Sequence, residues 1–405
     1  MKRKSTSEGI PVVAEAVPIF PPRPDAFVTF LTSDDFLPGA MTLLYSIKKS
    51  MQKKDQSDYH YPPELVCLVT PNISQKTRKM LCPTFCTRII EVQSLDFPDQ
   101  SIQNKQIVAN HVTSWSFQGA LTKLHIFRLE QYDTILYIDA DCLVVKDVTH
   151  LFDLGKLYQE SEALLAAAPD IFPPDRFNAG VMVVRPSRSV FKNMMDQSAL
   201  LSSYDGGDTG FLNAYFSEWH SNMPPFSRLK FGYNAQRFLY HSTYEKQPNY
   251  WDLGVAPDLY IVHYSSSPKP WESKPTVIEE EGKVNIEEHL QQEEIKTLKK
   301  VKKSAELELL WWNSYQRSQN YAKTYANEKM EEEKKENQAI LAAKKAAQPK
   351  SVKDIHRLVS SRYKELRRQG LNTKDAMEQA RQEYDQDLEN RSAGSQVAAM
   401  FGINS

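Results

Sequence analysis

Between residue 26 and about residue 275, short apolar runs alternate with segments of helical periodicity. The runs predict buried strands, and they are Ala26–Thr32, Glu64–Thr70, Thr134–Ile138, Ala163–Ala168 and Val181–Val184. Ala163–Ala168 fits a helix equally well. Helical patterns occupy Gly39–Lys49 and Thr113–Leu129. This alternation predicts an α/β fold with a mixed, mainly parallel sheet flanked by helices, in which ligands bind at the carboxyl ends of the strands.

The rest of the chain is dominated by Glu, Lys, Gln and Ala and predicts a helical extension. Leu307, Trp311 and Tyr315 recur at helical spacing, and Gly370 is typical of a helix end. The predicted organisation is therefore a Pro-rich disordered lead (1–25), a globular domain (26–275) and a charged helical tail, partly disordered (276–405). In an alternative reading, the tail docks a partner protein, with Trp311 and Trp312 as the anchors.

Composition excludes several classes of protein. The 405 residues contain 50 Lys+Arg and 51 Asp+Glu, so the net charge is −1 and no nucleic-acid partner is expected. No apolar run approaches the ~20 residues that a membrane span requires. The N-terminus has no continuous apolar segment, so we expect a cytoplasmic protein whose 4 cysteines are free thiols, three of them buried.

The clearest chemical signal is an apolar strand that leads into Asp139-Ala140-Asp141. Residues i and i+2 of an extended segment point the same way, so the two carboxylates can share one Mn²⁺ or Mg²⁺ ion. Ala140 leaves room for a phosphate-bearing ligand. We expect Asp141 to be exposed at the strand end and to contribute little to the core. The motif suits a phosphatase of the haloacid dehalogenase type or a nucleotide-sugar transferase, but Leu143 stands where such phosphatases usually have Thr.

A glycine cluster supplies the second signal. Among only 14 glycines, Gly180 follows Asn178-Ala179, and three more lie in the segment Asp205-Gly-Gly-Asp208-Thr209-Gly before a predicted helix. Glycine is favoured where the backbone turns or approaches a ligand closely. Asn178 can offer its amide to sugar hydroxyls, whereas Asp205 and Asp208 fit either a binding loop or a helix N-cap.

The third signal is a strand-like run that ends in His263, followed by Lys269-Pro-Trp271. A neutral imidazole can complete the coordination of a divalent metal, and a lysine can neutralise a departing diphosphate.

Taken in order, these motifs resemble glycosyltransferase family 8, and within it the glycogenin-like branch, over about residues 26–272. The resemblance implies a GT-A (Rossmann-like) fold and a retaining transferase. It also implies a UDP-glucose or UDP-galactose donor and Mn²⁺ as the cofactor, with Mg²⁺ as the alternative metal.

The resemblance also assigns residues. It implies metal ligation by Asp139, Asp141 and His263, and catalytic roles for Asp208, Asp205 and Lys269. Asp208 stabilises or attacks the sugar in this reading, and Lys269 contacts the diphosphate. The implied nucleotide-sugar site comprises those residues together with Phe30, Thr32, Ser33, Phe36, Lys123, Ala140, Asn178, Ala179, Thr209 and Ser266. Within it, the resemblance implies that Phe30, Thr32, Ser33 and Phe36 line the uridine pocket. It also implies that Lys123, Asn178, Asp205 and Asp208 contact the sugar.

Two departures from the glycogenin-like pattern leave the donor sugar and the acceptor open. Thr209 stands where Gln is usual, and Ser266 stands where Gly is usual. The acceptor is the protein's own tyrosine, a protein glycan, a glucan end or a polyol, the last as in galactinol synthases. Tyr240 and Tyr244 follow Tyr233-Asn234, but the expected self-glucosylation position falls on His241. A homodimer is implied by the branch, and a non-enzymatic scaffold acting through the tail is the remaining alternative.

Overall fold

The computed structural model describes residues 23–51, 62–98, 119–157, 165–171, 175–244, 254–272, 306–347 and 352–400. Most of the predicted disordered lead and of residues 276–305 lies outside this part. The chain divides into two compact units, Met1–Ala322 and Lys323–Ser405.

The larger unit is built on a six-stranded sheet in the order β3-β2-β1-β4-β7-β6. Its strands are β1 (Ala26–Leu31), β2 (Glu64–Val69), β3 (Arg88–Glu91), β4 (Ile135–Ile138), β6 (Leu165–Pro169) and β7 (Phe177–Val184). The first four are parallel, and β7 runs antiparallel to both β4 and β6. The prediction of a mixed, mainly parallel sheet is confirmed, and the ambiguous segment at 163–168 is a strand over its described residues.

A second sheet of three strands has the order β5-β9-β8. Its strands are β5 (Cys142–Val144), β8 (Ala235–Gln236) and β9 (Ile261–His263). Because β5 begins four residues after β4 ends, the Asp139–Asp141 turn lies where the two sheets meet. Antiparallel pairing of β5 with β9 places Cys142 opposite His263.

Helices cover the sheet. They are α1 (Leu37–Met51), α2 (Gln75–Leu81), α3 (Asp153–Leu157), α4 (Arg188–Gln197), α5 (Asp208–Tyr215) and α6 (Arg237–Tyr244). The helix predicted over Thr113–Leu129 is wrong in type where it is described, because residues Thr122–Arg128 form a 3₁₀ helix. Gly119 turns the chain with a φ of +82°, and every side chain from Thr122 to Phe127 is buried. Packing on all sides, rather than an amphipathic period, sets this backbone.

Alternating residues of β1 belong to two different hydrophobic clusters of the core. Phe27 and Leu31 join α1 residues such as Leu43 in one cluster, while Val28 joins Tyr137 and its neighbours in the other. Each fully buried large apolar side chain contributes roughly 1.5–3 kcal/mol. The sheet is therefore a rigid platform, and its strand ends are fixed in position.

Three helices follow: α7 (Glu306–Ala347), α8 (Val352–Arg368) and α9 (Thr373–Met400). They confirm the predicted helical extension. In the larger unit, Trp311 is fully buried and Trp312 Nε1 donates to Pro270 O at 2.9 Å. Both side chains make their contacts within the larger unit. The interpretation of these two tryptophans as anchors for a partner protein is therefore wrong.

In the smaller unit, α8 and α9 pack through Leu366, Ala376 and Ala380. Gly370 ends α8 with a φ of +98°, and Asn372 Oδ1 accepts from Asp375 N at 2.9 Å. The predicted helix end at Gly370 is confirmed. None of the helices in the described ranges has the length and apolarity needed to cross a bilayer. All 4 cysteines are free, and three of them are buried, as predicted.

Candidate active site

Backbone hydrogen bonds fix the Asp139–Asp141 turn between the two sheets. Asp139 N donates to Gly180 O of β7 at 2.8 Å, and Cys142 N donates to Asp139 O at 3.0 Å. Tyr264 N then donates to Asp141 O at 2.9 Å, at the end of the β5–β9 pairing. These hydrogen bonds bring residues that are far apart in the chain to one sheet edge, namely Asp139, Asp141 and His263.

The His263 imidazole faces both carboxylates. Its Nε2 lies 3.3 Å from Asp141 Oδ1 and 4.0 Å from Asp139 Oδ2. Its Nδ1 lies 2.8 Å from Asn234 Oδ1, an oxygen that can only accept, so Nδ1 is the donor of this contact and Nε2 is the ring nitrogen that faces the carboxylates. A neutral imidazole and carboxylate oxygens suit a divalent cation such as Mn²⁺. The donor set therefore fits the predicted metal.

Asn234 was missed as a member of this site by sequence reasoning, which noted it only as part of a Tyr-Asn pair. Its Nδ2 donates to Asn178 Oδ1 at 2.9 Å, and Gly180 N donates to that same oxygen at 3.0 Å. Asn178 is the second residue of β7. Its amide therefore anchors the group that orients His263, in the way that outer-shell residues orient metal ligands.

Asp141 is buried, not exposed as we predicted from its place at a strand end. It is 7% exposed, and its Oδ2 lies 2.6 Å from Lys269 Nζ, which also donates to Tyr264 O at 3.0 Å. Burial raises the pKa of Asp141, but His263 and Lys269 outweigh it and hold that pKa well below its usual range. Asp141 thus presents Oδ1 to the imidazole and Oδ2 to the ammonium.

Cys142 was not predicted near a metal site. Asp141, Cys142 and His263 form the group of potential ligand atoms that lie within 4.8 Å of one another in the described residues. The Cys142 side chain belongs to the apolar core, and burial with the neighbouring aspartates holds its thiol pKa well above the usual value. We therefore retain Asp139, rather than the thiol, as the predicted third ligand.

Lys123 links Asp139 to the glycine-rich loop that carries Asp208. Its Nζ lies 3.1 Å from Asp139 Oδ1 and 2.5 Å from Asp208 Oδ2, and it donates to Ala179 O at 3.2 Å. Burial lowers the pKa of Lys123. Asp139 and Asp208 raise that pKa by a larger amount, so it lies above its ordinary value. Tyr137, which sequence reasoning also missed, donates from its hydroxyl to Asp139 Oδ1. Its i−2 position on the same strand is the signal that could have indicated it.

Asp205 organises the loop that carries Asp208. Its Oδ1 accepts from Ser203 Oγ at 2.7 Å and from Gly207 N and Gly210 N at 2.9 Å each. This arrangement favours a positioning role for Asp205 over direct contact with the sugar. Gly207, not an aspartate, is the N-cap of α5.

Asp208 is the first residue of α5, and Thr209 follows it. Asp208 Oδ1 accepts from Thr209 N at 2.9 Å, while Oδ2 is the atom that faces Lys123. The Asp208 side chain is 23% exposed, so it is partly accessible to solvent.

The four residues predicted to bind uridine lie at the carboxyl end of β1. Thr32 O accepts from Asn72 Nδ2 at 2.7 Å, and Ser33 Oγ accepts from Asp35 N at 3.2 Å. The Phe36 ring packs edge-on against Trp271, with ring centroids 5.4 Å apart. Phe30 is half-buried against the core cluster on the Val28 side of the sheet.

Phe36 lies beside Trp271, the last residue of the Lys269-Pro-Trp271 segment. A Cβ on Gly39 would lie 2.5 Å from Ala140 O and 2.9 Å from Trp271 Cη2, so a glycine lets α1 approach the Asp139–Asp141 turn. The predicted nucleoside and metal sites therefore share one edge of the sheet.

Ser266 is held by Arg237, another residue that sequence reasoning missed. Arg237 Nη2 donates to Ser266 Oγ and to Ser266 O at 2.8 Å each. Ser266 therefore fixes the loop between His263 and Lys269 in this structure, and its predicted contact with the nucleotide-sugar stays a prediction.

Of the two tyrosines considered as self-acceptors, Tyr240 is poorly placed. Tyr240 is 2% exposed, and its hydroxyl donates to Glu306 Oε2 at 2.5 Å, so it is not available as an acceptor in this conformation. The side chains of His241 and Tyr244 lie outside the described residues. Tyr233 stacks on Tyr260 with ring centroids 4.4 Å apart.

Gly180→Ala is expected to weaken Mn²⁺ binding about 10–100-fold, the range typical of changes around a metal ligand. A Cβ at this position would lie 2.3 Å from His263 Cε1 and 2.7 Å from its Nδ1, so the imidazole must move. Titration of free Mn²⁺ by electron paramagnetic resonance measures the affinity. Gly207→Ala is the control, because its Cβ would meet atoms no closer than 3.6 Å. Equal affinities for the two variants would contradict the placement of His263.

Comparison with known proteins identifies the class. The family model described as "Glycosyl transferase family 8" matches residues 27–274. Human Glycogenin-1 is 33% identical over 249 residues, which are 61% of this chain and 62% of that protein. Inositol phosphorylceramide glucuronosyltransferase 1 of Arabidopsis thaliana is 31% identical over 264 residues, covering 61% of this chain and 42% of that protein.

Among solved structures, the glycosyltransferase GlyE of Streptococcus pneumoniae TIGR4 is 17% identical, with a TM-score of 0.45 and coverage of 75% of this chain and 64% of that chain. The chain spans about half the length of the first curated relatives, 54% and 50% of two glycogenins.

The family match gives the class of the protein. The chain belongs to glycosyl transferase family 8 and is similar to glycogenins. Its mixed, mainly parallel sheet with flanking helices is the architecture that the resemblance implied for a GT-A fold.

Proposed function

We propose that this chain is a Mn²⁺-dependent, retaining hexosyltransferase that uses UDP-glucose or UDP-galactose. The observation that carries the proposal is the position of Asp141, whose two oxygens face His263 Nε2 at 3.3 Å and Lys269 Nζ at 2.6 Å. Transfer of a sugar from a nucleoside diphosphate builds negative charge on the leaving group. A buried carboxylate that bridges a metal-ligating imidazole and a lysine supports both means of neutralising that charge.

The residues divide the work between the two fragments of the donor. Asp139, Asp141 and His263 would hold the cation, which when bound supplies electrostatic stabilisation of the diphosphate oxygens. Lys269 adds a second positive charge on the same side, from a side chain that is 5% exposed and hence weakly screened. Asp208 presents a carboxylate to the sugar, where oxocarbenium character develops as the anomeric C–O bond breaks.

Lys123 lies between Asp208 and Asp139. Its ammonium contacts both carboxylates and offsets the repulsion between their like charges. Lys123 therefore connects the metal side of the site to the sugar side. A sugar hydroxyl that enters between the two aspartates would meet donors and acceptors already oriented.

The family match and the relatives bear on the alternatives to this function and on the choice of donor. The phosphatase alternative is set aside by the family match, and Leu143 is buried inside β5. The glucuronosyl group in the name of the Arabidopsis relative makes UDP-glucuronate a donor worth including beside the two hexoses. The acceptor, a homodimer, the cytoplasmic location and a partner for the tail stay predictions.

The deciding experiment measures UDP release from UDP-glucose, UDP-galactose and UDP-glucuronate, each with Mn²⁺, with Mg²⁺ and with EDTA. We expect metal-dependent release from one hexose donor and little from the others. Intact-mass spectrometry of the same mixtures detects self-glycosylation as hexose-sized increments. Release that EDTA leaves unchanged would overturn the metal role, and no release from any donor would overturn the proposed function.

A further inference from the structure

The first turns of α7 lie outside the family match, which ends at residue 274, yet they pack against the loop that follows His263. Tyr264 donates from its hydroxyl to Leu307 O at 2.6 Å, and Trp312 Nε1 donates to Pro270 O at 2.9 Å. The Trp311 and Trp271 rings pack with centroids 5.5 Å apart. Both ends of the loop from 264 to 271 are thus in contact with this helix.

Arg237 connects the middle of that loop to α7. Its Nη2 donates to Ser266 O and to Pro268 O at 2.8 Å each, and its Nη1 lies 3.2 Å from Glu308 Oε1. The two charged side chains are only 6% and 17% exposed. A guanidinium presents its donors in a fixed planar fork, so the position of Glu308 decides where those carbonyl groups are held. Removing one partner of such a buried pair has large effects because a charge is left without compensation.

The loop that Arg237 binds also carries Lys269. The Lys269 ammonium contacts Asp141 Oδ2 from the end of a flexible side chain, so the position of the loop backbone decides whether this contact can form. Beyond the lysine, Trp271 packs on Phe36 at the predicted nucleoside side of the site. A displacement of the loop would therefore move the lysine relative to a bound diphosphate.

We propose that Glu308 of α7, acting through Arg237, is a positioning residue for Lys269, so that α7 completes the nucleoside diphosphate site. This inference rests on the proposed function, because it assigns the lysine to the diphosphate. A carboxylate outside the family-matched segment thereby controls a group inside it.

The test is UDP binding in the presence of Mn²⁺, measured by titration calorimetry on the full chain. Glu308→Gln is expected to weaken UDP binding about tenfold, because small displacements of a charged contact cost that much or more. Lys269→Met is expected to weaken it at least as much. The double variant should bind no more weakly than Lys269→Met, within about twofold, because both changes remove the same contact. Glu383→Gln, which breaks the exposed Arg362–Glu383 pair, is the control and should leave UDP affinity unchanged.

Hydrogen exchange provides a readout that does not depend on UDP. Glu308→Gln should speed exchange of the amides in the 264–271 loop and leave those of β1 unchanged. If that variant fails to fold, Trp312→Phe removes the hydrogen bond to Pro270 and tests the same loop. Additive losses in the double variant, or loop exchange equal to that of the unaltered protein, would overturn the inference. Failure of the unaltered protein to bind UDP would instead overturn the proposed function, while the exchange experiment would still test the positioning.

Discussion

Asp141→Asn is expected to reduce UDP release from the preferred UDP-hexose by about a thousandfold, at the upper end of the effect of removing one group that stabilises transition-state charge. Both oxygens of Asp141 are engaged, one facing His263 and the other Lys269. The amide keeps the shape of the side chain but loses the charge that a divalent cation requires. Initial rates at saturating donor and Mn²⁺ measure the loss.

The same substitution is expected to lower the free energy of unfolding by about 3–5 kcal/mol, because it leaves the buried Lys269 ammonium without its counter-charge. Urea denaturation measures this effect. The double variant Asp141→Asn/Lys269→Met should recover most of the stability and none of the activity. Asp175→Asn is the control, since its carboxylate is 51% exposed and its pairing with Arg176 contributes at most about 1 kcal/mol. A stable but inactive single variant would show that burial of the pair contributes little to folding.

The strands β1, β2, β4, β6 and β7 could be predicted because each is a short apolar run with both faces covered, whereas the partly exposed β3 was not predicted. β1, β2 and β4 appear within a residue or two of the predicted ends, since local hydrophobicity and burial agree there. The 3₁₀ helix at Thr122–Arg128 could not be predicted, because every side chain from Thr122 to Phe127 is buried and no periodic signal distinguishes it. Long-range packing overrides local pattern in such segments.

In the candidate site, too, some residues could be predicted from the sequence and others could not. The proximity of Asp139, Asp141 and His263 could be predicted because each lies at or just beyond the end of an apolar strand, and strand ends gather at one edge. Asn234, Tyr137 and Arg237 could not, because each acts on another side chain through a contact that only the tertiary structure creates. The burial of Asp141 was mispredicted for a related reason: Lys269 covers it from 128 positions away in the chain.

Asp208→Asn is expected to lower kcat by at least about a hundredfold and up to a thousandfold, with little change in the KM for the donor. In the proposed reaction the carboxylate acts when positive charge develops on the sugar, so its loss affects the transition state more than donor binding. Asp208 Oδ2 lies 2.5 Å from Lys123 Nζ, and the amide keeps an oxygen that can accept from that ammonium. The fold around α5 should therefore persist, and circular dichroism and thermal unfolding check that it does.

Asp205→Asn is the matched comparison, three residues earlier in the same loop. Asp205 Oδ1 accepts from Ser203 Oγ, Gly207 N and Gly210 N, and an amide oxygen can accept from the same three donors. This variant should therefore lose less than about tenfold in kcat, because the loop keeps its hydrogen bonds although it loses a charge. If the two variants lose activity equally, the negative charge of the whole loop matters rather than the position of one carboxylate. If Asp208→Asn alone is inactive, the sugar-facing role belongs to Asp208, because the two residues share a loop and differ in what their side chains contact.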